Sequence, residues 1–194
     1  MINASYTIVD LQQGTPLWSE WRSHGIGASD APAIMGENPW KSAIQLLREK
    51  CGARKNSSNA AMDRGTELEP EARKHYEIKV GVQFIPVCLQ SVRFEWLRAS
   101  VDGLAADGSA VVEIKCGESV YRNSAASRKV PKYYFGQLQH ILAVTSLPSI
   151  DFWCYLPNRP EVHLQVPRDD SYVERLLDAE HLFWKQVLKR RINV

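Results

Sequence analysis

Along the first fifty residues the apolar positions come in short bursts punctuated by helix signals. Thr15-Pro16 has the form of an N-cap followed by a first-turn proline and opens a helix through Trp18 and Trp21 to Arg22, which Gly25-Ile26-Gly27 ends. Ser29 or Asp30 caps a second short helix that stops at Gly36, and Ser42 starts a third over 43–50, closed by Gly52. The Ser/Asn-rich stretch 53–60 reads as a loop. Leu68, Ala72 and Tyr76 then recur every four residues, so a helix is predicted over 66–80, with Pro70 tolerated in its first turn. Strand-like runs follow at 83–89, 92–97, 99–105 and 110–116, the last two joined by the hairpin signal Asp107-Gly108. A helix over 133–144, a hairpin pair at 150–156 and 162–166, and a long amphipathic helix over 172–191 complete the chain. The stripe of that last helix is Val173, Leu176, Leu177, Phe183, Trp184, Val187 and Leu188. Helices, a strand meander, a helix, a hairpin and a final helix together predict an α/β fold, a single domain over 1–194 with a central mixed β-sheet flanked by helices.

Composition narrows the picture. At 194 residues, 44% hydrophobic and 24% charged, the chain can bury one full core. No apolar stretch approaches the roughly 20 residues that cross a bilayer, and Met1 to Tyr6 lacks a signal-peptide pattern, so a cytoplasmic protein without membrane contact is expected. The four cysteines stand singly, which argues against structural zinc or an iron–sulfur cluster, and Cys116 and Cys154 lie in apolar runs as small hydrophobes. A net charge of +2 excludes a uniformly basic nucleic-acid coat. Two local patches remain: Arg122 to Lys132, which reads equally as a solvated loop, and Lys189-Arg190-Arg191, better explained as the positive end of a helix.

The hairpin carries the chemistry. With Asp107 and Gly108 as turn residues, Asp102 faces Glu113 and Ser100 faces Lys115. Alternation puts Ser100, Asp102, Leu104, Val111, Glu113 and Lys115 on one face, and Val101, Ala105, Ala110, Val112, Ile114 and Cys116 on the other. Two carboxylates about 5 Å apart repel by about 3 kcal/mol at an effective dielectric near 20, so something must offset them. Lys115 can neutralise part of the charge. A divalent cation or a proton must supply the rest, and a hard, oxygen-rich site of this kind suits magnesium. The competing reading is a surface hairpin with a Glu/Lys pair.

Asp102-Gly103 followed by Glu113-Ile114-Lys115 resembles the PD-(D/E)xK nuclease superfamily, with Val101 in place of the proline. Four blocks in order, Trp18-Ser19-Glu20-Trp21-Arg22 with Gly27-Ala28-Ser29, Arg64 to Arg73, Asp102-Gly103 through Cys116, and Tyr134 to Gln139, are similar to the lambda-type phage exonucleases and the YqaJ-like viral recombinases. The resemblance implies a restriction-endonuclease-like core and a Mg²⁺-dependent 5′-to-3′ exonuclease on linear double-stranded DNA. One or two magnesium ions, with manganese as a substitute, would be held by Asp102, Glu113, the Ile114 carbonyl and Glu69. Lys115 would act as base or as a charge stabiliser, and Gln137 and Tyr134 would line the nucleophile's side.

The same resemblance gives Arg22 and Ser29 to the 5′-terminal phosphate and makes Met62 an apolar wedge between the strands. It further implies a homotrimer ring, a single-strand annealing protein as partner, and 3′ single-stranded tails as product. Simpler readings stand beside these roles: a solvated Glu69/Arg73/Glu77 ladder, a plain N-cap at Ser29, a surface Arg22, and core packing for Met62. A restriction-like or structure-specific endonuclease is the second functional reading, and a non-catalytic DNA-binding module the third.

Overall fold

A computed structural model of the chain describes residues 5–52 and 60–192, with side chains described from Arg64 onward in the second stretch. The side chain of Met62 and residues 53–59 of the loop therefore lie outside the described residues. In chain order the elements are β1 (Tyr6–Val9), α1 (Pro16–Ser23), β2 (Ile26–Gly27), a 3₁₀ turn (Ala28–Asp30), α2 (Ala31–Ile34), α3 (Ala43–Lys50), α4 (Ala60–Val80), β3 (Phe84–Ser91), β4 (Leu97–Ala105), β5 (Val111–Lys115), α5 (Glu118–Ser127), α6 (Lys132–Thr145), β6 (Ser149–Cys154), β7 (Val162–Pro167) and α7 (Asp170–Ile192).

The sheet is mixed, in the order β1-β3-β4-β5-β6-β7, with β2 pairing in parallel with β4. All neighbours along the main path are antiparallel except β5 and β6. Parallel neighbours need a crossover, and α5 and α6 supply it. Leu138, Ile141 and Leu142 of α6 pack with Leu104, Val111 and Phe152 on one face. Ala72 and Tyr76 of α4 pack with Val112, Ile114 and Trp153 on the other. A separate apolar cluster joins Ala33, Leu46 and Leu47 of α2 and α3 to Phe183, Trp184 and Val187 of α7. Buried His140 ties three elements together: Nδ1 lies 2.7 Å from Glu180 Oε1 on α7, and Nε2 lies 2.9 Å from the Arg98 carbonyl on β4. Among the described residues no helix is long and apolar enough to cross a membrane.

Several boundaries differ from the sequence expectation, each for a physical reason. Helix α4 begins at Ala60, so Pro70 lies in its interior, where its missing N–H breaks one backbone bond. Of the run 92–97 only Leu97 is strand, as the first residue of β4, because the Ser91 hydroxyl accepts from the N–H groups of Arg93 and Phe94 and turns the chain. Half of the supposed basic loop is helix α5, with Val120, Tyr121 and Ser124 buried. Of the two expected caps, Asp30 stands at the N-cap of α2, but its side chain makes no cap bond to that helix. Gly27 caps the preceding 3₁₀ turn, and the Asp30 carboxylate accepts from the Gly27 N–H at 3.0 Å.

The expected hairpin register holds at Gly103 opposite Val112 and Leu104 opposite Val111, where the pairing ends, so the expected pairs Asp102 with Glu113 and Ser100 with Lys115 lie beyond the ladder. The turn is longer than two residues: Ala105 N–H donates to the Ala110 carbonyl at 2.9 Å and Gly108 N–H to the Ala105 carbonyl at 2.8 Å. Strict alternation fails at one point, since Val101 packs with Leu104 and Val111 rather than with Val112 and Ile114. The cause is a bulge. Ile85 pairs with Leu104 but Val87 with Val101, so Pro86 alone opposes Asp102 and Gly103. Proline has no N–H to give the ladder, and a bulge is where a sheet accommodates it and re-aims a side chain.

Candidate active site

The bulge sets Asp102 at the edge of a buried carboxylate cluster. The pairing of β4 with β5 ends at Gly103 and Val112, and in the gap beyond it the Ile114 N–H donates to Asp102 Oδ2 at 2.8 Å. A strand residue turns its N–H and carbonyl to the same edge, so the Ile114 carbonyl faces that gap too. Arg73 of α4 donates to the Asp102 carbonyl at 3.2 Å. The ladder Glu69/Arg73/Glu77 is thus not what these residues build: Glu77 accepts from the Phe84 N–H at 2.7 Å. Glu69, in turn, feels Asp102 and Lys115.

Glu113, on β5 between two neighbouring strands, is only 2% exposed. Its Oε1 accepts from Lys115 Nζ and from Gln137 Nε2 of α6, each at 2.5 Å. Its Oε2 is buried without a partner. Lys115 Nζ also lies 5.0 Å from the centre of the Tyr134 ring. The structure thus brings Asp102, Glu113, Lys115, Glu69, Gln137 and Tyr134 to one place.

The electrostatics record the crowding. Burial, and then the neighbouring Asp102, push the carboxyls of Glu69 and Glu113 up to about 7. Burial raises Asp102 as well, against the pull of Lys115, the Ile114 N–H and Arg73. Burial would lower Lys115, but Glu113 and Asp102 outweigh it and hold the ammonium well above its usual range. Cys116, next along the chain, is pushed up to about 12 by burial and by Glu69 and Asp102.

Three acidic side chains therefore share less positive charge than they need, and one of their oxygens is orphaned. Among the described residues no three His, Cys, Asp or Glu side chains converge as a complete metal cage. Magnesium takes one or two protein carboxylates and keeps waters and substrate oxygens for the remainder, and the buried, unpartnered Glu113 Oε2 near Asp102 is an oxygen donor of that kind. The donor set fits a hard cation.

A second locus is built around β2. Arg22, near the C-terminal end of α1, donates to the Ser29 hydroxyl, and its guanidinium lies 5.0 Å from the centre of the Trp18 ring. Trp18 Nε1 donates to Ser100 Oγ at 2.8 Å, anchoring α1 to β4 two residues before Asp102. Below, the buried Lys50 ammonium lies 2.8 Å from Asp30 Oδ2 and donates to the carbonyls of Gly25 at 2.7 Å and Arg22 at 3.1 Å. Burial opposes the charge on Asp30, but Lys50 and Arg22 overcome it and hold its carboxyl at about 2. The 3₁₀ turn bearing Ser29 packs on α6, the helix of Gln137.

Asp30, Lys50 and Arg73 are absent from the site as read in the sequence. Only the proximity of Asp30 to Ser29 could have signalled the first. Arg122 of the first basic patch pairs with Glu118 at 3.2 Å. In the C-terminal patch, Arg191 donates to the Lys50 carbonyl and, at 2.9 Å, to the Ser23 carbonyl, closing the ends of α3 and α1.

The sequence pattern of the YqaJ-like viral recombinase domain matches residues 17–148. The protein YqaJ of Bacillus subtilis (strain 168) is 29% identical over 174 residues, 86% of this chain and 54% of that protein, so the chain spans about half the length of this curated relative. The crystal structure of an alkaline exonuclease from Laribacter hongkongensis is similar with a TM-score of 0.79 and 26% identity, covering 90% of this chain and 95% of the other. A phage-related exonuclease from Haemophilus somnus 129PT, 15% identical, shares the fold, with a TM-score of 0.63 over 84% of this chain and 93% of the other.

Proposed function

The chain belongs to the YqaJ-like viral recombinase family, and we propose on that footing that it is a magnesium-dependent deoxyribonuclease that removes nucleotides from the 5′ ends of linear double-stranded DNA. The observation that carries this reading is the Glu113 carboxylate, with one oxygen held by Lys115 and Gln137 and the other buried and unpartnered beside Asp102. Asp102, Glu113 and the Ile114 carbonyl would hold one ion and Glu69 would help hold a second, with manganese as a substitute. When bound, the ion would polarise a phosphoryl oxygen and make water a stronger nucleophile near neutral pH.

The chain's own groups do the remaining work. Lys115, its ammonium held by Glu113, would face the phosphate oxygens as a positive charge in the transition state or, with magnesium on the two carboxylates lowering its pKa, serve as the base. Gln137 fixes the Glu113 carboxylate and orients the attacking water. Arg22 and Ser29 take the 5′-terminal phosphate, for which a guanidinium offers a paired set of donors. The products are mononucleotides and 3′ single-stranded tails, suited to a strand-annealing partner, and a homotrimer ring would let a small enzyme stay on its DNA.

The test is digestion of matched linear and circular duplexes with magnesium, with calcium and with chelator, on 5′-phosphate and 5′-hydroxyl ends. Linear DNA is expected to be degraded with magnesium alone, and phosphorylated ends faster, with that preference lost in Arg22→Ala. Cleavage of the circle would favour an endonuclease, and activity in Asp102→Ala would place the chemistry elsewhere.

A further inference from the structure

An aromatic ladder leads from the half-buried Tyr134 and Tyr133 out to the exposed Trp40. From Lys115 Nζ it is 5.0 Å to the Tyr134 ring centre, 4.7 Å from Tyr134 to Tyr133, and 4.9 Å from Tyr133 to Trp40. Trp40 meets Tyr133 at 76° and is 72% exposed, so an edge contact holds the indole in place while most of its surface faces solvent. Burial thus gives folding little reason to keep a tryptophan there.

Its backbone, by contrast, is pinned. Asn38 Oδ1 accepts from the N–H groups of Trp40 at 2.8 Å and Lys41 at 3.0 Å. The N–H groups of Glu37 and Asn38 donate to the Pro32 carbonyl at 2.8 and 3.0 Å. Glu37 Oε2 accepts from the Tyr172 hydroxyl of α7 at 2.7 Å. The segment is thereby tied to α2 and α7, and the indole is presented from a fixed loop. Lys132, exposed beside Tyr133, adds a cation.

Resting on the exonuclease reading, we propose that Trp40, backed by Tyr133, is a stacking platform for an unpaired base of the strand being cut. Every base offers a π-face, so a flat aromatic surface beside a cation binds single-stranded DNA without reading its sequence. Three steps of about 5 Å from the catalytic ammonium place the stacked base within about four nucleotides of the scissile phosphate, taking 3.4 Å per stacked nucleotide. Held there, an unpaired base cannot re-form its pair, and the next phosphate stays presented to Lys115.

The experiment uses a 5′-phosphorylated linear duplex carrying 2-aminopurine at each of the first six positions of either strand, with calcium in place of magnesium. Quenching is expected at one or two positions of the 5′ strand, lost in Trp40→Ala and kept in Trp40→Phe. The Trp40→Ala affinity is expected to fall about tenfold, the usual effect of one lost stack. Unchanged quenching and affinity in Trp40→Ala would overturn the platform while leaving the nuclease reading intact. Quenching confined to the complementary strand would overturn it too, as would altered sedimentation of DNA-free Trp40→Ala with unchanged affinity, which marks a protein contact. Wild-type protein that does not bind the duplex at all would remove the exonuclease reading and this proposal together.

Discussion

Replacing Glu113 by glutamine should make the metal-free protein more stable and the enzyme inactive. The carboxyl stands at about 7 in the fold against an ordinary 4.5, and at about 1.4 kcal/mol per pH unit the difference is about 3 kcal/mol. A raised carboxyl favours its protonated form in the native state. Its cost to the fold is therefore absent below the unfolded value, grows as pH rises from about 4.5 to 7, and is complete above that. Glu113→Gln removes this cost while keeping an oxygen for Lys115 and Gln137. Because Lys115 loses one of its two carboxylates, the net gain expected at pH 8 in chelator is about 2 kcal/mol, or about 4–8 °C in melting temperature for a chain of this size. The assay is thermal and urea unfolding of both proteins at pH 8 and at pH 4.5, where the gap should nearly close, followed by a magnesium titration that raises the wild-type midpoint and leaves the variant's in place. A variant that melts at or below wild type at pH 8 without metal would refute the claim that these carboxylates are crowded.

Three further outcomes follow from the same structure. Lys115→Met should reduce turnover about 10²–10³-fold, the loss typical of one fixed donor at a developing charge, while DNA binding in calcium persists; turnover within tenfold of wild type would exclude that role. Asp30→Asn should cost about 2 kcal/mol at pH 7, from a carboxyl held at about 2 against 3.8. That stability is present above about pH 4 and fades as pH falls toward 2, so urea curves of the two proteins should converge on acidification, and a constant gap would count against the Lys50 pair. Gly103→Ala should destabilise by about 1–3 kcal/mol, because its Cβ would lie 2.8 Å from Val112 Cγ1 and 2.9 Å from Phe84 Cβ; an unchanged denaturation midpoint would show that the bulge yields freely.

Much of the fold was legible where one local signal sufficed. Thr15 caps α1 by accepting from the Trp18 N–H, Ser42 starts α3 as expected and does so in a capping box with Gln45, and Gly103 and Leu104 pair with Val112 and Val111 in the register the hairpin signal implies. Long-range partners were not legible. Strand β1 exists because it pairs with β3 some eighty residues later, and α5 lacks a continuous apolar stripe, its buried residues being Val120, Tyr121 and Ser124. The site divides in the same way. Asp102, Glu113 and Lys115 share one hairpin and can be found by counting, and the four ordered blocks pointed to Glu69, Gln137, Arg22 and Ser29. Arg73 reaches the Asp102 carbonyl, and Lys50 reaches Asp30, only because separate helices meet there. The bulge that swings Val101 to the α6 face follows from Pro86 on β3, a cross-strand effect that periodicity within β4 does not contain.

Digestion from the 5′ end is read out with a linear duplex labelled separately at its 5′ and 3′ ends and incubated with magnesium. The 5′ label is expected to appear at once as a mononucleotide while the 3′ label stays on a strand that shortens steadily. Early release of the 3′ label, or internal fragments with both labels still on long strands, would contradict it.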